Sequence, residues 1–439
     1  MPTVALETIG CRLNRYETER LASELTSLGF RRVAPHDPAD LYIVNTCTVT
    51  AAADADCRKL IGRAIRTNRE AVIVVAGCYA IAERDRLPRL DGVSLVVGND
   101  EKSRLTQILR QNFPRLFDTA DPTSDIGASP VVDSSFHTAD DVLSPDALSL
   151  NRPLVKIGDG CNQRCAYCIV PAVRGPLTSV PAESITREIT RLAGDGYDEA
   201  VLTAVHIGQY DDSGRTLAGL VQKILDTTAI RRLRLSSLEP NELDDPLLDM
   251  VAGNPRVCRF LHLPLQSGSD RILRLMRRPY TAADYLSVVA KIKRANPAIT
   301  IGCDVIVGFP GETEADFEES LAVLDSGLVD YGHIFSYSDR PGTIANDLPD
   351  KIPPAVIKDR NRRAREISCA NRRRHLDRQI GHVLEVISEG RLQRGNFYWG
   401  VSDNYLKVRM PDRTGGGRRI VRIRPTKRIE DHLEGEIAP

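Results

Sequence analysis

Short, fully apolar segments recur between helical stretches along most of this chain, and that alternation restricts its fold more than any other feature. Val4–Thr8, Leu41–Asn45, Ala71–Ala76 and Val93–Val97 read as strands. A strand apolar on both faces must be covered on both, which a parallel sheet with helical crossovers provides. Leu21, Leu25 and Leu28 mark one face of a first helix, and the Ala-rich stretch through Ile65 reads as a second. Residues 1–113 are therefore expected to form an N-terminal parallel α/β domain. The alternation returns from Arg152, with strands at Leu154–Ile157, Ala200–Ala204, Leu233–Ser236, Phe260–Leu263, Thr300–Val307 and His333–Tyr337. Pro181–Leu192 and Glu314–Leu324 are two of the helical segments between them. About six βα units over 152–352 favour a partial or complete parallel (βα) barrel over a doubly wound sheet.

Between these regions, 114–151 is rich in Pro, Ser, Asp and Thr and shows little periodicity, as a linker or long excursion does. Beyond Pro353–Pro354, residues 353–377 read as a basic helical connection. Over 378–439, Val383–Ile387, Phe397–Val401, Tyr405–Val408 and Arg419–Ile423 read as short alternating strands, with turns at Gly390, Asp403–Asn404 and Gly415–Gly417. A small C-terminal antiparallel β-barrel follows.

Charge is unevenly spread. The chain holds 59 basic and 59 acidic residues, but Ile352–Pro439 carries 20 of the former and 11 of the latter, so the body is acidic and the tail basic. A basic tail suits a polyanion such as nucleic acid; a solvated Arg-rich helix around Arg360–Arg374 fits the same count. The apolar runs are too short to span a bilayer, and the start MPTVALETIG has no basic, apolar leader. A cytoplasmic protein with no membrane partner is expected.

Ten cysteines in such a chain point to metal or catalytic chemistry rather than disulfides. Cys161, Cys165 and Cys168 lie in GCNQRCAYCIVP directly after a predicted strand. Three thiolates on one loop can ligate three irons of a cubane cluster and leave the fourth open. Structural zinc fits less well, because it takes four ligands and no fourth is nearby. Cys11, Cys47 and Cys78 are distant in sequence, yet each follows a predicted strand of the N-terminal domain. In a parallel sheet those strand ends share one edge, so the thiols are expected to converge as a second set; three small buried hydrophobes are the alternative. Cys57, Cys258, Cys303 and Cys369 form no such group. Gly308 and Gly311 in VGFPGET make a strand-to-helix turn, with Glu312–Thr313 at the helix start, and no dinucleotide or P-loop motif.

With both cysteine sets placed, the chain resembles the radical S-adenosylmethionine methylthiotransferases. The matching segments run in order as TIGCRLNRYETE, IVNTCTVT, VVAGCYA, GCNQRCAYCIVP, RLSSLEP, HLPLQSGSDRIL, DVIVGFPGETEADF and FSYSDRPGT. The C-terminal region is similar to the family's RNA-binding TRAM module. TIGCRLNRYETE and LTAVHIGQY most resemble the branch that modifies N6-threonylcarbamoyladenosine beside the tRNA anticodon, at position 37. The isopentenyladenosine and ribosomal-protein aspartate branches match these two segments less well. Ala172 stands where family members often carry an aromatic residue, and His206 where a polar amide is common.

The resemblance implies two 4Fe–4S clusters, S-adenosylmethionine, a tRNA substrate and a reducing electron donor. The Cys161/Cys165/Cys168 cluster would generate the radical that removes hydrogen from adenine C2. The Cys11/Cys47/Cys78 cluster would hold or supply sulfur. Tyr167, by resemblance, packs beside the cofactor, and Gln266 and Ser267, at a predicted strand end, are candidate cofactor contacts, although turn formation explains the latter two equally. Glu239 and His206 are candidates for the barrel mouth. For RNA, Arg418, Arg419, Arg422 and Arg424 lie close together in the last domain, with Tyr398 and Trp399 available to stack on exposed bases; an ordinary barrel with solvated arginines is the alternative. A metal-bearing RNA-binding protein without catalysis is the competing class, and an incompletely ligated iron argues against it.

Overall fold

The computed structural model describes residues 1–117, 151–393, 397–411 and 417–438. Most of the expected 114–151 excursion and the Gly415–Gly416 part of a turn lie outside the described residues; Pro114–Leu116 forms one 3-10 turn. The chain divides into two compact units. The described part of the first comprises 1–117, Asp159–Asn162 and Cys168–Val180; that of the second comprises 151–158, Gln163–Tyr167 and the chain from Pro181 onward.

The first unit is built on strands β1 (Thr3–Thr8), β2 (Arg31–Arg32), β3 (Leu41–Thr46), β4 (Val72–Gly77) and β5 (Leu95–Val97). All pair in parallel, in the order β2-β1-β3-β4-β5. Both faces of β3 are covered, which explains its uninterrupted apolar sequence. Ile43 and Val74 pack with Leu21 and Leu25 of the helix Arg12–Ser27. Val44 and Val75 pack with Cys57 and Ile61 of the helix Ala51–Thr67. Thr50 fixes the start of that second helix by accepting the Ala53 amide at 3.1 Å, a cap worth about 1 kcal/mol.

A two-stranded ribbon, β7 (Gly158–Asp159) with β8 (Thr178–Ser179), brackets the Cys161–Cys168 loop. In the second unit, β6 (Leu154–Lys156), β9 (Glu199–Thr203) and β10 (Arg232–Leu235) form one parallel sheet; β11 (Phe260–His262), β12 (Thr300–Val307) and β13 (Tyr331–Ser336) form another. Leu233 N donates to Arg256 O at 2.7 Å and Cys258 N to Leu233 O at 2.9 Å, linking the sheets into one arc of βα repeats. This is the partial barrel the alternation predicts. Thr281 and Thr313 open two of its helices with reciprocal caps to Asp284 and Asp316. The second of these confirms VGFPGET as a strand-to-helix turn.

A closed five-stranded barrel of TRAM type follows the helix Pro354–Asp377: β14 (Leu384–Gln393), β15 (Phe397–Ser402), β16 (Lys407–Pro411), β17 (Ile420–Ile429) and β18 (His432–Ile437), in the order β14-β15-β16-β18-β17. Three details differ from the sequence expectation. β14 continues through Gly390 rather than turning there. β18 is an additional strand, hidden because Leu433 is its one side chain in the barrel's apolar core. The β16–β18 pairing is parallel, so the barrel is antiparallel at its other seams.

This barrel is tied to the βα arc by buried charge. Glu199 on β9 is fully buried and receives Arg232 Nε at 2.6 Å and Arg234 Nε at 2.8 Å. The two guanidinium groups then reach across to barrel carbonyls: Arg232 to Glu385 O at 2.8 Å, and Arg234 to Ser402 O at 2.9 Å and Asp403 O at 3.1 Å. Burial opposes the carboxylate's charge, but Arg232, Arg234 and Arg152 outweigh it and hold Glu199 well below the usual carboxylate range. Removing one member strands the others without water. Glu199→Ala is therefore expected to destabilise the second unit by about 3–5 kcal/mol, read as an earlier thermal transition, and an unchanged transition would refute this role.

Candidate functional site

In the first unit, Thr8 lies opposite Asn45 and Thr46 opposite Gly77, so Cys11, Cys47 and Cys78 leave the same edge of three adjacent strands. Cys11 sits at the N-cap of the helix Arg12–Ser27, Cys47 directly follows β3, and Cys78 opens the short helix Cys78–Ala82. Close approach is built in. Gly10 has φ +111°, and a Cβ there would lie 2.6 Å from Cys47 Cβ and 2.9 Å from its sulfur. Asn14 knits the loops, its Nδ2 donating to Ile9 O at 2.8 Å and Thr46 O at 2.9 Å. Asn99 Nδ2 reaches Cys78 Sγ at 3.5 Å and donates to Val173 O at 2.6 Å.

Beside these thiols lies Arg174, whose side chain is 2% exposed. It donates to Glu17 at 3.1 Å, to Asp159 at 2.8 Å and to Asn14 Oδ1. Burial pushes the Cys47 thiol up to about 11; the Val49 amide pulls it back, Cys78 and Cys11 push it further up, and Arg174 opposes them. Three neighbouring thiolates would repel one another, so their ionisation calls for bound cations. All ten cysteines are free thiols. Among the described residues, no three His, Cys, Asp or Glu side chains converge on a position for one metal ion. Thiolates sharing one zinc would lie about 3.8 Å apart. A cubane gives each thiolate its own iron and so spaces the three sulfurs more widely, and an all-sulfur donor set suits iron–sulfur chemistry. The residues present fit that group.

The residues of the C-x3-C-x2-C segment divide between the two units. In the first, Cys161 N donates to Gly175 O at 3.2 Å and Leu177 N to Asn162 Oδ1 at 3.0 Å. In the second, Ala166 N donates to Met276 O at 3.0 Å and Ala345 N to Ala166 O at 2.7 Å. Tyr167, half-buried, packs on a core of Ala166, Ile272, Met276, Phe309 and Ala345. Arg278, 2% exposed, donates to Cys165 Sγ at 3.0 Å and Tyr280 Oη at 3.1 Å and pairs with Glu239. Burial raises the Glu239 carboxyl, and Arg278 opposes that shift. His206 Nε2 lies 2.6 Å from Glu242 Oε2.

Gln266 holds φ +69°, a costly conformation for a residue with a Cβ, and is fixed by its amide donating to Asp304 O at 2.8 Å. Ser267 is fully buried, its hydroxyl 3.3 Å from that of Ser320 and accepting the Ser269 amide at 3.2 Å. Its contacts are those of a turn. In the small barrel, Tyr398 turns to the apolar core, whereas Trp399 lies against Phe397 and His432 with Lys407 Nζ 3.9 Å from its ring centroid. As consecutive strand residues these two rings face opposite sides. Arg418 is half-buried, stacked 4.2 Å over Tyr197; Arg419, Arg422 and Arg424 are exposed. Arg174 and Arg278 were not among the sequence candidates, although each stands within a quoted or neighbouring motif, IVPAVRG and MRRPY. An arginine in such a run reads as surface charge until its neighbours are known to be buried acids and thiols.

The fold matches solved radical S-adenosylmethionine enzymes. A methyltransferase, TsrM from Kitasatospora setae, superposes with TM-score 0.57 over 79% of this chain and 74% of its own, at 16% identity. The Radical SAM superfamily model matches residues 155–324, and the model of Uncharacterized protein family UPF0004 matches 3–98. Threonylcarbamoyladenosine tRNA methylthiotransferase MtaB of Aquifex aeolicus is 38% identical over 92% of this chain and 98% of its own length. The protein of the same name from Bacillus subtilis is 33% identical over 99% and 96%. A tRNA-2-methylthio-N(6)-dimethylallyladenosine synthase from Alkalilimnicola ehrlichii is 34% identical over 99% and 97%. The fold, the family match over 155–324 and the near-full-length relatives thus define a radical S-adenosylmethionine enzyme. The chain belongs to the tRNA methylthiotransferase family. No helix among the described residues is long and apolar enough to cross a membrane.

Arg174→Ala leaves the Glu17 and Asp159 carboxylates without their shared cation, and should cost about 3–5 kcal/mol in the first unit. Arg174→Lys should recover little, because a point charge cannot replace a fork that serves three acceptors. Thermal unfolding of the two variants checks both statements, and full recovery by lysine would refute the second.

Proposed function

We propose that this chain adds a methylthio group to C2 of N6-threonylcarbamoyladenosine at position 37 of tRNA, in the cytoplasm, using two 4Fe–4S clusters. The observation that carries the reading is the arrangement of Cys11, Cys47 and Cys78 on one sheet edge, in a chain that also holds the Cys161/Cys165/Cys168 loop. The threonylcarbamoyl substrate rests on the names of the relatives from Aquifex and Bacillus and on the TIGCRLNRYETE and LTAVHIGQY segments. The functional divisions follow as 1–113, 152–352 and 378–439, with 353–377 the connecting helix.

A cluster at Cys161, Cys165 and Cys168 supplies one-electron chemistry to S-adenosylmethionine, which acid–base or nucleophilic side chains cannot bring to an unactivated C2–H bond. The chain's own groups prepare the place. Arg278 sets a positive charge against the Cys165 sulfur and orients the Glu239 carboxylate. In this reading Glu239, Gln266 and Tyr167 are the contacts to the cofactor's amino acid and adenine parts. Cys11, Cys47 and Cys78 would hold the second cluster, and Arg174 would set a positive charge beside its thiolate ligands. Arg419, Arg422 and Arg424, with Trp399, present the small barrel to RNA phosphates and bases.

Mass spectrometry of tRNA nucleosides from cells with and without the gene tests the reading. Deletion should abolish 2-methylthio-N6-threonylcarbamoyladenosine, with wild type restoring it and Cys47→Ala failing to. Loss of the isopentenyl counterpart instead would overturn the substrate and keep the chemistry. Anaerobically purified wild type should hold roughly eight irons per chain, and the Cys11/Cys47/Cys78→Ala variant roughly four; an unchanged iron content would remove the second cluster.

A further inference from the structure

The two faces of the β11-β12-β13 sheet are treated differently. On the outer face, Cys303 of β12 meets Tyr285 of the helix Ala282–Ala295, and Gly332 of β13 lies against Leu324 of the helix Glu314–Leu324. The inner face carries the alternate residues, aligned by register: His262 beside Gly302, Asp304 beside His333, and Ile306 beside Phe335. On this face the helix Pro354–Asp377 sets Arg372 over the Tyr331 ring, and the next two rings along the strand are open. Phe335 is 45% exposed and His333 is exposed, although both lie in a strand interior.

These side chains form a ladder. His262 and His333 stack with centroids 5.6 Å apart and planes 23° from parallel, and Phe335 stands 6.5 Å beyond His333. Asp304 Oδ1 lies 3.1 Å from His262 Nε2 and fixes that ring. Next to Phe335, Ile306 packs on the apolar cluster of Ala166, Ile272, Met276, Phe309 and Ala345, to which Ala166 of the cysteine loop belongs. The ladder therefore ends one strand away from the apolar cluster that seats Ala166, the neighbour of Cys165, near the C-terminal end of β13.

We propose that Phe335 and His333 form the stacking wall for the target nucleobase of the RNA substrate, which deepens the reading above and rests on it. An extruded purine needs a flat apolar surface at the reacting end of the barrel and polar atoms at its edge. Phe335 supplies the surface, and the imidazole of His333 supplies the edge. Phe335 is not a lone exposed apolar residue: it stands beside the exposed His333 ring on the same strand face, so the two offer one aromatic surface. A nucleobase fits this wall better than an aspartate side chain, which has no face to stack.

The test is a double-mutant cycle with the full-length, cluster-loaded protein. Affinity is measured for an anticodon stem-loop RNA carrying adenosine at the target position, and for the same RNA with an abasic site there. Wild type should prefer the intact RNA by about 5- to 150-fold, the range of one base–aromatic stack. Phe335→Ala should remove most of that preference, and Phe335→Trp should retain it. Equal wild-type affinity for the two RNAs, or Phe335→Ala and abasic effects that simply add, would overturn the wall while leaving methylthiolation to be judged by nucleoside analysis. Failure of wild type to bind either RNA would overturn both.

Discussion

Parallel pairing in register is the constraint on which the rest of this molecule depends. It sends every strand's C-terminal end to one edge, so residues far apart in sequence meet there without any direct signal between them. In the first unit this brings Cys11, Cys47 and Cys78 to neighbouring loops. In the second it aligns His262, Asp304 and Phe335 along the inner face of one sheet. A shift of one residue in any pair would turn these side chains to the opposite face. The continuous apolar runs that enforce the register thus also fix the chemistry.

Buried charge, rather than further apolar burial, makes the ties between elements. Glu199 joins the small barrel to the βα arc, and Asp330 joins the helix Pro354–Asp377 to β12. Asp330 accepts the Ile301 amide at 2.8 Å and Lys293 at 2.6 Å, and lies 3.1 Å from His375 Nδ1. Burial raises its carboxyl, but His375 and Lys293 prevail and hold it down at about 2. Because that value is depressed, its stabilisation is complete above the unfolded carboxyl range and is lost as pH falls through about 4 toward 2. Such pairs add little to net stability over an apolar contact, yet breaking one is costly. They suit junctions where one geometry must win over several.

The architecture was legible in the sequence because period and length carry it. Val4–Thr8 and Leu41–Asn45 agree with β1 and β3 to within one residue. The common edge of Cys11, Cys47 and Cys78 was legible for the same reason, since each follows a readable strand, whereas Cys161, Cys165 and Cys168 stand out by their spacing alone. β18 was not, because His432–Ile437 alternates around a single core leucine and carries two glutamates. Nor were Arg174 and Arg278. Their meaning lies in what surrounds them, and a guanidinium shared among Glu17, Asp159 and Asn14 leaves no trace in local spacing. Tyr398 and Trp399 show the converse: adjacent aromatics suggest one stacking platform, but strand geometry sends them to opposite sides.

The same logic separates structure from function along β13. Gly332 and Ile334 alternate with Tyr331, His333 and Phe335, so one set can pack against helices while the other borders the barrel interior. Burying a phenylalanine fully is worth about 1.5–3 kcal/mol, and the chain forgoes part of that at Phe335. A leucine or valine here, turned against a neighbouring side chain, would be the cheaper choice for folding alone. What the position keeps instead is a flat ring next to Ile306, which packs on the apolar cluster that includes Ala166 of the cysteine loop. A rigid strand holds that ring, so its placement does not have to be re-established at each encounter with RNA. An extended, paired backbone has little freedom left to lose on binding, and for a reaction that must present one carbon–hydrogen bond to a short-lived radical, positioning matters more than affinity.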